Sequence, residues 1–317
     1  MSPLVSDTCP AEGLIAALEI LYQDLPAPRR RRQIDLLMQS DDPAARSVQQ
    51  GGLLICRRDE KIVGAMLTLP APGRVMMAWM PRCARGTPGQ DQQAIGESLL
   101  QRLTQSASTH SVRFIQLLTD ELSASLREAV QSAGYFHLTQ LVYARRSVEP
   151  DEKVAPAPAD VEFVPYKPEW HTDLLRVLDE SYRESLDCPE LTGLRTLDDV
   201  FASHRGHGEF RAERWFLARQ SNQWVGCLLL SAGPSDRAIE ISYVAVLPHA
   251  RGKGLGKIFT REAIRRAQAE GFEAVVLAVD GRNMPALAMY EDEGFIPWDI
   301  REIYLLVLDP ADGKMVR

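Results

Sequence analysis

The sequence lacks the features of an exported or membrane protein. Its cysteines are scattered, at positions 9, 56, 83, 188 and 227, with no Cys-x-x-Cys pair, a pattern typical of a reduced protein rather than a disulfide scaffold. No apolar run approaches the roughly 18 residues that cross a bilayer. The amino terminus also lacks the basic start and unbroken apolar stretch of a signal peptide. We therefore predict a cytoplasmic protein with no membrane partner.

Excess positive charge is missing as well. The 317 residues carry a formal net charge of −7, whereas a nucleic-acid-binding surface has to be basic. The run of four arginines at 29–32 follows Pro28, and such a run usually forms a solvated face or a helix start. We predict no nucleic-acid partner, and we assign no metal site. The length allows two domains of ordinary size.

One glycine-rich stretch, 240–257, organises the sequence. Residues 240–247 are rich in β-branched and aromatic side chains and predict a strand, which Pro248 ends. Three glycines then precede a helical pattern that starts at Ile258: Gly252, Gly254 and Gly256. Backbone N–H groups can converge there on an anion at the positive end of the helix. The stretch predicts a site for a phosphate or pyrophosphate.

The spacing of this loop excludes two nucleotide-binding motifs. A Walker loop would need glycine and serine or threonine where Arg251 and Ile258 stand. A dinucleotide fingerprint would need glycine in place of Lys257. The loop instead reads Arg-x-x-Gly-x-Gly over 251–256, directly after a strand. It resembles the acyl-coenzyme A loop of the GCN5-related N-acetyltransferase (GNAT) superfamily.

A second motif supports this resemblance. The GNAT pattern of Asn, Ala three residues later, Tyr four further and then Gly-Phe is met by Asn283, Ala286, Tyr290, Gly294 and Phe295. The resemblance covers roughly the second half of the chain. It implies an α/β (α+β) fold with a mixed, mostly antiparallel sheet flanked by helices. It also implies transfer of an acetyl group from acetyl-CoA to a primary amine of a small molecule or peptide.

The resemblance also assigns residues to acyl-coenzyme A. Backbone groups of the strand before the loop would hold the pantetheine, at Val244, Ala245 and Val246. The loop would hold the diphosphate, through Arg251, Gly252, Lys253, Gly254, Leu255, Gly256 and Lys257. Asn283 is expected either near the cofactor or as a helix cap.

Two residues are expected to carry the chemistry. Tyr290 is the candidate general acid, because a tyrosine at this position in the family points at the cofactor sulfur and can protonate a thiolate. Glu240 is the candidate base, since some GNAT enzymes carry a glutamate there. Four other residues stay open as alternatives for the base: Glu180, Asp187, His204 and Tyr243.

The chain also predicts an internal repeat. Three pairs of landmarks lie at a near-constant offset: Gly64 and Gly226, Gly134 and Gly294, and Tyr143 and Tyr304. The offset places the counterpart of the glycine loop near 89–94 and that of Tyr290 near Val130, where neither motif occurs. We predict tandem GNAT domains, a degenerate one over 1–150 and an acyl-CoA-binding one over 151–317.

Other interpretations remain open. The protein could be a regulatory, non-catalytic GNAT protein that only binds acyl-CoA. It could also be a tandem GNAT that acetylates a specialised small molecule, as in mycothiol synthase, whose two-domain plan the chain broadly resembles. The segment 182–210 mixes both charges, so it does not choose among polyamine, aminoglycoside, amino acid and peptide acceptors. A monomer with an internal pseudo-dimer and a homodimer are both compatible with the repeat.

Overall fold

The computed structural model describes residues 2–40, 43–108, 111–120, 122–232, 237–309 and 315–316. Contacts divide the chain into two compact units, which we call unit 1 (Met1–Leu138 with Glu302–Arg317) and unit 2 (Thr139–Arg301). In each unit helices flank a mixed sheet in which antiparallel pairs dominate. This confirms the predicted fold class.

Unit 1 packs its helices around a sheet with the order β1-β2-β3-β4-β6-β13, and β5 pairs with β3. Its elements are β1 (Val5–Thr8), α1 (Leu14–Leu21), α2 (Ala27–Gln39), α3 (Pro43–Gln49), β2 (Leu53–Arg58), β3 (Lys61–Ala71), β4 (Val75–Trp79), β5 (Arg82–Cys83), α4 (Gly89–Ser108), β6 (Phe114–Thr119), α5 (Ala124–Ser132), the start of β7 (Phe136–Ser147) and the end of β13 (Ile296–Val307). One core lies against α4 and α5, and a second lies under α1, α2 and α3. The short elements α3 and β1 were not predicted, because neither has enough residues to show a period.

Unit 2 repeats this plan with the order β7-β12-β11-β10-β9-β8. Its remaining elements are β8 (Val161–Pro165), α6 (His171–Ser181), α7 (Leu197–Arg205), β9 (Trp215–Gln220), β10 (Gln223–Ser231), β11 (Ala238–Val246), α8 (Leu255–Ala269), β12 (Ala274–Asp280) and α9 (Met284–Asp292). Side chains of α6 and α7 pack on one set of strand residues, and those of α8 and α9 pack on another. The sequence predicts a helix over 168–185. The regular α-helix begins later and ends earlier, since a 3₁₀ turn precedes His171 and α6 stops at Ser181.

Neither unit is one continuous segment. Residues 141–147 of β7 pair antiparallel with β12 in unit 2, whereas residues 302–307 of β13 pair antiparallel with β6 in unit 1. Each unit therefore completes its sheet with a strand from the other half of the sequence. The domain boundary predicted near residue 150 lies in 148–160, a stretch without helix or strand, and it stays a prediction. None of the helices in the described part of the chain is long and apolar enough to cross a membrane.

Candidate acyl-transfer site

Strand β11 separates early from its parallel neighbour β12. Their pairing is confined to residues 238–240 of β11 and 274–276 of β12, while β11 stays paired with β10 as far as Val246. Between the pairs Leu229–Tyr243 and Leu230–Ile241 the register shifts by one residue of β11. Such a bulge bends the strand and increases its twist. The two parallel strands consequently open into a cleft toward their carboxyl ends.

Backbone groups of β11 line one side of this cleft. The N–H of Leu247 donates to the carbonyl of Val225 at 2.8 Å, and backbone direction alternates along an antiparallel strand. The N–H and C=O groups of Val244 and Val246 therefore point away from β10, toward the cleft. An edge of this kind can pair with an extended chain that adds itself as a strand.

A glycine loop closes one end of the cleft. Gly252 and Gly254 have φ values of +74° and +78°, and an added Cβ at either would meet nothing within 4 Å. Gly254 is the N-cap of α8, and no side chain caps this end of the helix. Gly256 has a different role, since a Cβ there would lie 2.8 Å from the sulfur of Met289 on α9. The loop therefore presents bare backbone at the positive end of α8.

The charged side chains of the loop bond within the protein. Arg251 donates from Nε to the carbonyl of Val246, from Nη1 to that of Glu184 and from Nη2 to that of Ser181, each at 3.0 Å. It ties β11 to the end of α6, so its side chain is committed to these carbonyls. Lys253 donates to the His249 carbonyl at 3.2 Å, and Lys257 pairs with Asp292 at 2.7 Å.

A cavity of about 370 Å³ occupies the cleft. Its lining brings together most residues predicted to hold the cofactor or act on it: Val244, Ala245, Val246, Arg251, Gly252, Gly254, Leu255, Gly256, Asn283 and Tyr290. Lys253, Lys257 and Glu240 are not part of this lining. The loop after α6 adds Ser185, Leu186 and Asp187.

Tyr290 of α9 and Asn283 at the start of this helix both line the cavity. Tyr290 is 7% exposed, and burial, with the nearby charge of Asp187 adding to it, raises the pKa of its phenol far above the ordinary value. The hydroxyl is thus neutral at any ordinary pH and can donate a proton. The Oδ1 of Asn283 accepts the N–H of Ala286 at 3.3 Å, so Asn283 is the N-cap of α9 and also lines the cavity.

Glu240 lies in a second cavity of about 370 Å³, together with His207, Ser231, Arg145 and Arg237. The Nε2 of His207 is 2.9 Å from its Oε2. This hydrogen bond raises the pKa of His207 despite the opposing effect of burial. Glu240 is therefore held in a pair with a histidine rather than among the residues that surround Tyr290.

The alternatives considered for the base lie in different surroundings. Burial, with the charge of Arg195 adding to it, lowers the pKa of His204 to about 3, so its ring stays neutral and is a weak base. Tyr243 bonds Ser181 at 2.8 Å, and burial raises its pKa well above the ordinary value. Glu180 lines a separate cavity beside His249. Asp187 shares the cavity of Tyr290.

The comparisons with known proteins agree with this geometry. Residues 175–295 match the family model described as Acetyltransferase (GNAT) family. A GCN5-related N-acetyltransferase from Sphaerobacter thermophilus superposes with a TM-score of 0.60 at 16% identity, over 100% of this chain and 98% of that one. The part of the chain that the family model matches lies in unit 2 and is similar to the GNAT family.

Further similarity extends over both units of the chain. A tandem GNAT protein from the clavulanic acid biosynthesis pathway gives a TM-score of 0.52 at 14% identity, over 96% of this chain and 98% of that one, which shows a shared fold alone. A mycothiol acetyltransferase from Streptomyces scabiei is 30% identical over 187 residues, or 57% of this chain and 58% of that protein. The alignments cover less than two thirds of the length of the curated relatives that the chain matches.

Unit 1 differs from the cleft of unit 2 at two points. Its parallel strands β4 and β6 pair over 75–79 and 114–118, and Met80 donates a further bond to Leu118, so they separate later than β11 and β12 do. Helix α4 already begins at Gly89, where the repeat offset places the glycine loop of unit 2. A helical turn therefore takes the place of the exposed loop.

A network around Asp280 was not foreseen from the sequence. Asp280 accepts bonds from Thr139 at 2.6 Å and from the N–H of Cys188 at 3.0 Å, and it pairs with Arg282 at 2.7 Å. Arg282 also pairs with Glu190 at 2.6 Å. Only the chain fold joins these residues, since residues 139, 188 and 280 are far apart in sequence and belong to no common motif.

Proposed function

We propose that the protein is an N-acetyltransferase that moves an acetyl group from acetyl-CoA to a primary amine of a small molecule. The observation that carries this proposal is the cleft between β11 and β12, with the bare glycine loop at one end and the protonated Tyr290 in its wall. The match to the GNAT family model covers the same residues.

The residues fit acyl-coenzyme A in two respects. The outward N–H and C=O of Val244 and the N–H of Val246 would pair with the pantetheine as with an added strand, since the carbonyl of Val246 already accepts a bond from Arg251. The N–H groups around Gly252, Gly254 and Leu255 would hold the diphosphate at the start of α8. Because Arg251, Lys253 and Lys257 already have protein partners, backbone N–H groups and the helix dipole would supply most of this binding.

Acetyl-CoA supplies an acetyl thioester, and the protein then has to orient the amine and manage protons. Tyr290 would protonate the departing sulfur. Its burial favours this role, because a phenol with a raised pKa keeps its proton until a strong base such as a thiolate comes near. Glu240, which is paired with His207, stays a candidate base.

The acceptor belongs to the small-molecule class that the name of the relatives suggests. Those relatives are called mycothiol acetyltransferases, which favours an acceptor of the mycothiol kind over a peptide. Unit 1 would bind no acyl-CoA, since its strands separate later and a helical turn replaces its loop. A cytoplasmic location, no nucleic-acid partner, and a monomeric or homodimeric state stay predictions.

The proposal is tested by thiol release from acetyl-CoA with a panel of amines: spermidine, kanamycin, glucosamine and a short peptide. We expect coenzyme A to raise the melting temperature and one class of amine to release thiol. A protein that coenzyme A does not stabilise would contradict the cofactor site. Stabilisation without thiol release from any amine would support the non-catalytic alternative.

A further inference from the structure

A carboxylate without a cationic partner faces the cavity of Tyr290. Asp187 lies in the loop after α6, is half-buried, and lines this cavity. Its Oδ1 accepts the backbone N–H of Asp280 at 2.9 Å. Over the described ranges, no lysine, arginine or histidine forms an ion pair with Asp187, and its Oδ2 has no hydrogen-bond donor. Arg282 is near, but it is bonded to Asp280 and Glu190.

Carboxylates elsewhere in unit 2 show what burial normally requires. Three side chains that are at most 8% exposed each hold an arginine, in the pairs Glu262–Arg266, Asp280–Arg282 and Glu293–Arg261. A buried charge is costly unless it is paired. Asp187 is half-buried and lines the cavity without such a partner. A cation that enters the cavity would therefore gain a partner there.

The position of this carboxylate is fixed by its surroundings. The next residue, Cys188, donates its N–H to Asp280 Oδ2 at 3.0 Å and adopts φ +44°. Asp280 is itself fully buried and neutralised by Arg282. The two opposed bonds, from Asp280 to Asp187 and from Cys188 to Asp280, pin the loop to the end of β12. A fixed carboxylate can orient a substrate, whereas a mobile one cannot.

We propose that Asp187 binds the ammonium group of the acceptor and accepts its proton; this inference rests on the proposed function. The ammonium gives one proton to the Asp187 carboxylate, which later releases it to water. The nitrogen lone pair forms the C–N bond with the acetyl carbon, and the C–S bond breaks. Tyr290 gives its proton to the sulfur and regains one from the nitrogen. The products are the amide, the free thiol of coenzyme A and one proton.

The groups around Asp187 favour this role. Burial raises its pKa, the charge of Asp280 adds to the rise, and the N–H of Asp280 and the charge of Arg282 oppose it. The other titratable groups that interact with it are the thiol of Cys188 and the phenols of Tyr290, Tyr182 and Tyr243. A carboxylate with a raised pKa removes a proton from an ammonium more readily than an ordinary one does. The phenols stay neutral because their own pKa values are raised.

The test is an Asp187→Asn variant, assayed with the same amine panel. Asparagine keeps an Oδ1 that can accept the Asp280 N–H, so the loop remains pinned while the charge is lost. We expect kcat/KM for the amine to fall about 10²- to 10⁴-fold, with an unchanged dissociation constant for acetyl-CoA. The remaining rate should rise with pH in proportion to free amine, because the protein base is gone.

Two further variants separate this inference from its rivals. Asp179→Asn makes the same change at an exposed position of α6 that pairs with Arg183, and it should match the wild type. In the wild type the rate should fall in acid as the base, Asp187, becomes protonated, and we call this fall the acidic limb of the pH profile. Glu240→Gln should retain that limb. The inference fails if Asp187→Asn transfers acetyl groups like the wild type at every pH, or if Glu240→Gln alone removes that limb. The proposed function itself fails separately, if the wild type releases no thiol with any amine.

Discussion

Replacing Tyr290 with phenylalanine removes one oxygen from the wall of the cavity and leaves the ring in place. The ring packs against Phe295, with centroids 5.6 Å apart, and phenylalanine keeps this contact. We expect the fold and the affinity for acetyl-CoA to stay unchanged. The loss should fall on the turnover number, because only the proton donor is missing.

The size of this loss follows from the role of a general acid. Such a group contributes about 10²- to 10⁴-fold to a rate, which corresponds to about 2.7–5.4 kcal/mol of activation free energy. Since burial keeps the phenol of Tyr290 protonated, the wild type should show no fall in kcat from this group as pH rises toward about 10. The deficit of the variant should therefore be similar across that range.

The assay measures kcat by thiol release at saturating acetyl-CoA and the dissociation constant of coenzyme A by calorimetry. Tyr166→Phe is the matched control, since Tyr166 also lies in unit 2 but bonds His171 at 3.1 Å, away from the cavity. A Tyr290→Phe variant with the kcat of this control would refute the assignment of the acid. Equal losses of kcat and of coenzyme A affinity would show instead that Tyr290 has a structural role.

Four other substitutions test the scaffold of the cavity. Arg251→Met removes three bonds from a guanidinium to carbonyls, each worth about 1.5–3 kcal/mol when well formed, so urea unfolding should show a loss of several kcal/mol and calorimetry a weaker amine complex. Arg282→Met leaves Asp280 buried without its cation and should cost about 3–5 kcal/mol at neutral pH. Burial alone would raise the pKa of Asp280, but its hydrogen bonds lower that pKa overall. The stabilisation is therefore present above the pKa of the unfolded state and is lost as pH falls through the pKa of the folded state. The variant should approach the stability of the wild type in acid. Gly226→Ala places a Cβ 2.0 Å from a carbonyl oxygen of β11 and should abolish coenzyme A binding. Gly254 has open space around it and a φ of +78°, so Gly254→Ala should lower the free energy of unfolding by only about 1–2 kcal/mol.

Local chemistry explains why much of unit 2 could be predicted. The strand at 240–247, the glycines after it and the cap at Asn283 depend on neighbours within a few residues, so the sequence carries their signal directly. The predicted strand corresponds to β11 and the predicted helix to α8. The family motifs then added the order of these elements. Most residues predicted from them line one cavity because they belong to adjacent elements.

Interactions between distant residues explain what the sequence did not reveal. The pair of Glu240 with His207 and the tie from Arg251 to Ser181 join residues 33 and 70 positions apart. The pairing of β7 with β12 and of β13 with β6 also joins distant parts of the chain. The pattern of a strand does not state which other strand it pairs with. A period or a spacing describes a residue's own element, and it contains no information about which distant side chain takes up a charge.

The contrast between the two units shows which local changes create the cleft. Both contain a parallel strand pair with a following helix, in the same order. In unit 1 the pairing runs over residues 75–79 of β4, and in unit 2 it stops at Glu240, just before the bulge of β11. In unit 1 the helix α4 already begins at Gly89, so the backbone groups of the matching residues bond within the helix. In unit 2 the helix α8 begins only after Gly254, and no side chain caps the N–H groups at its start. The bulge and the glycine loop therefore distinguish the cleft of unit 2 from the matching part of unit 1, and acyl-CoA binding should depend on these two features.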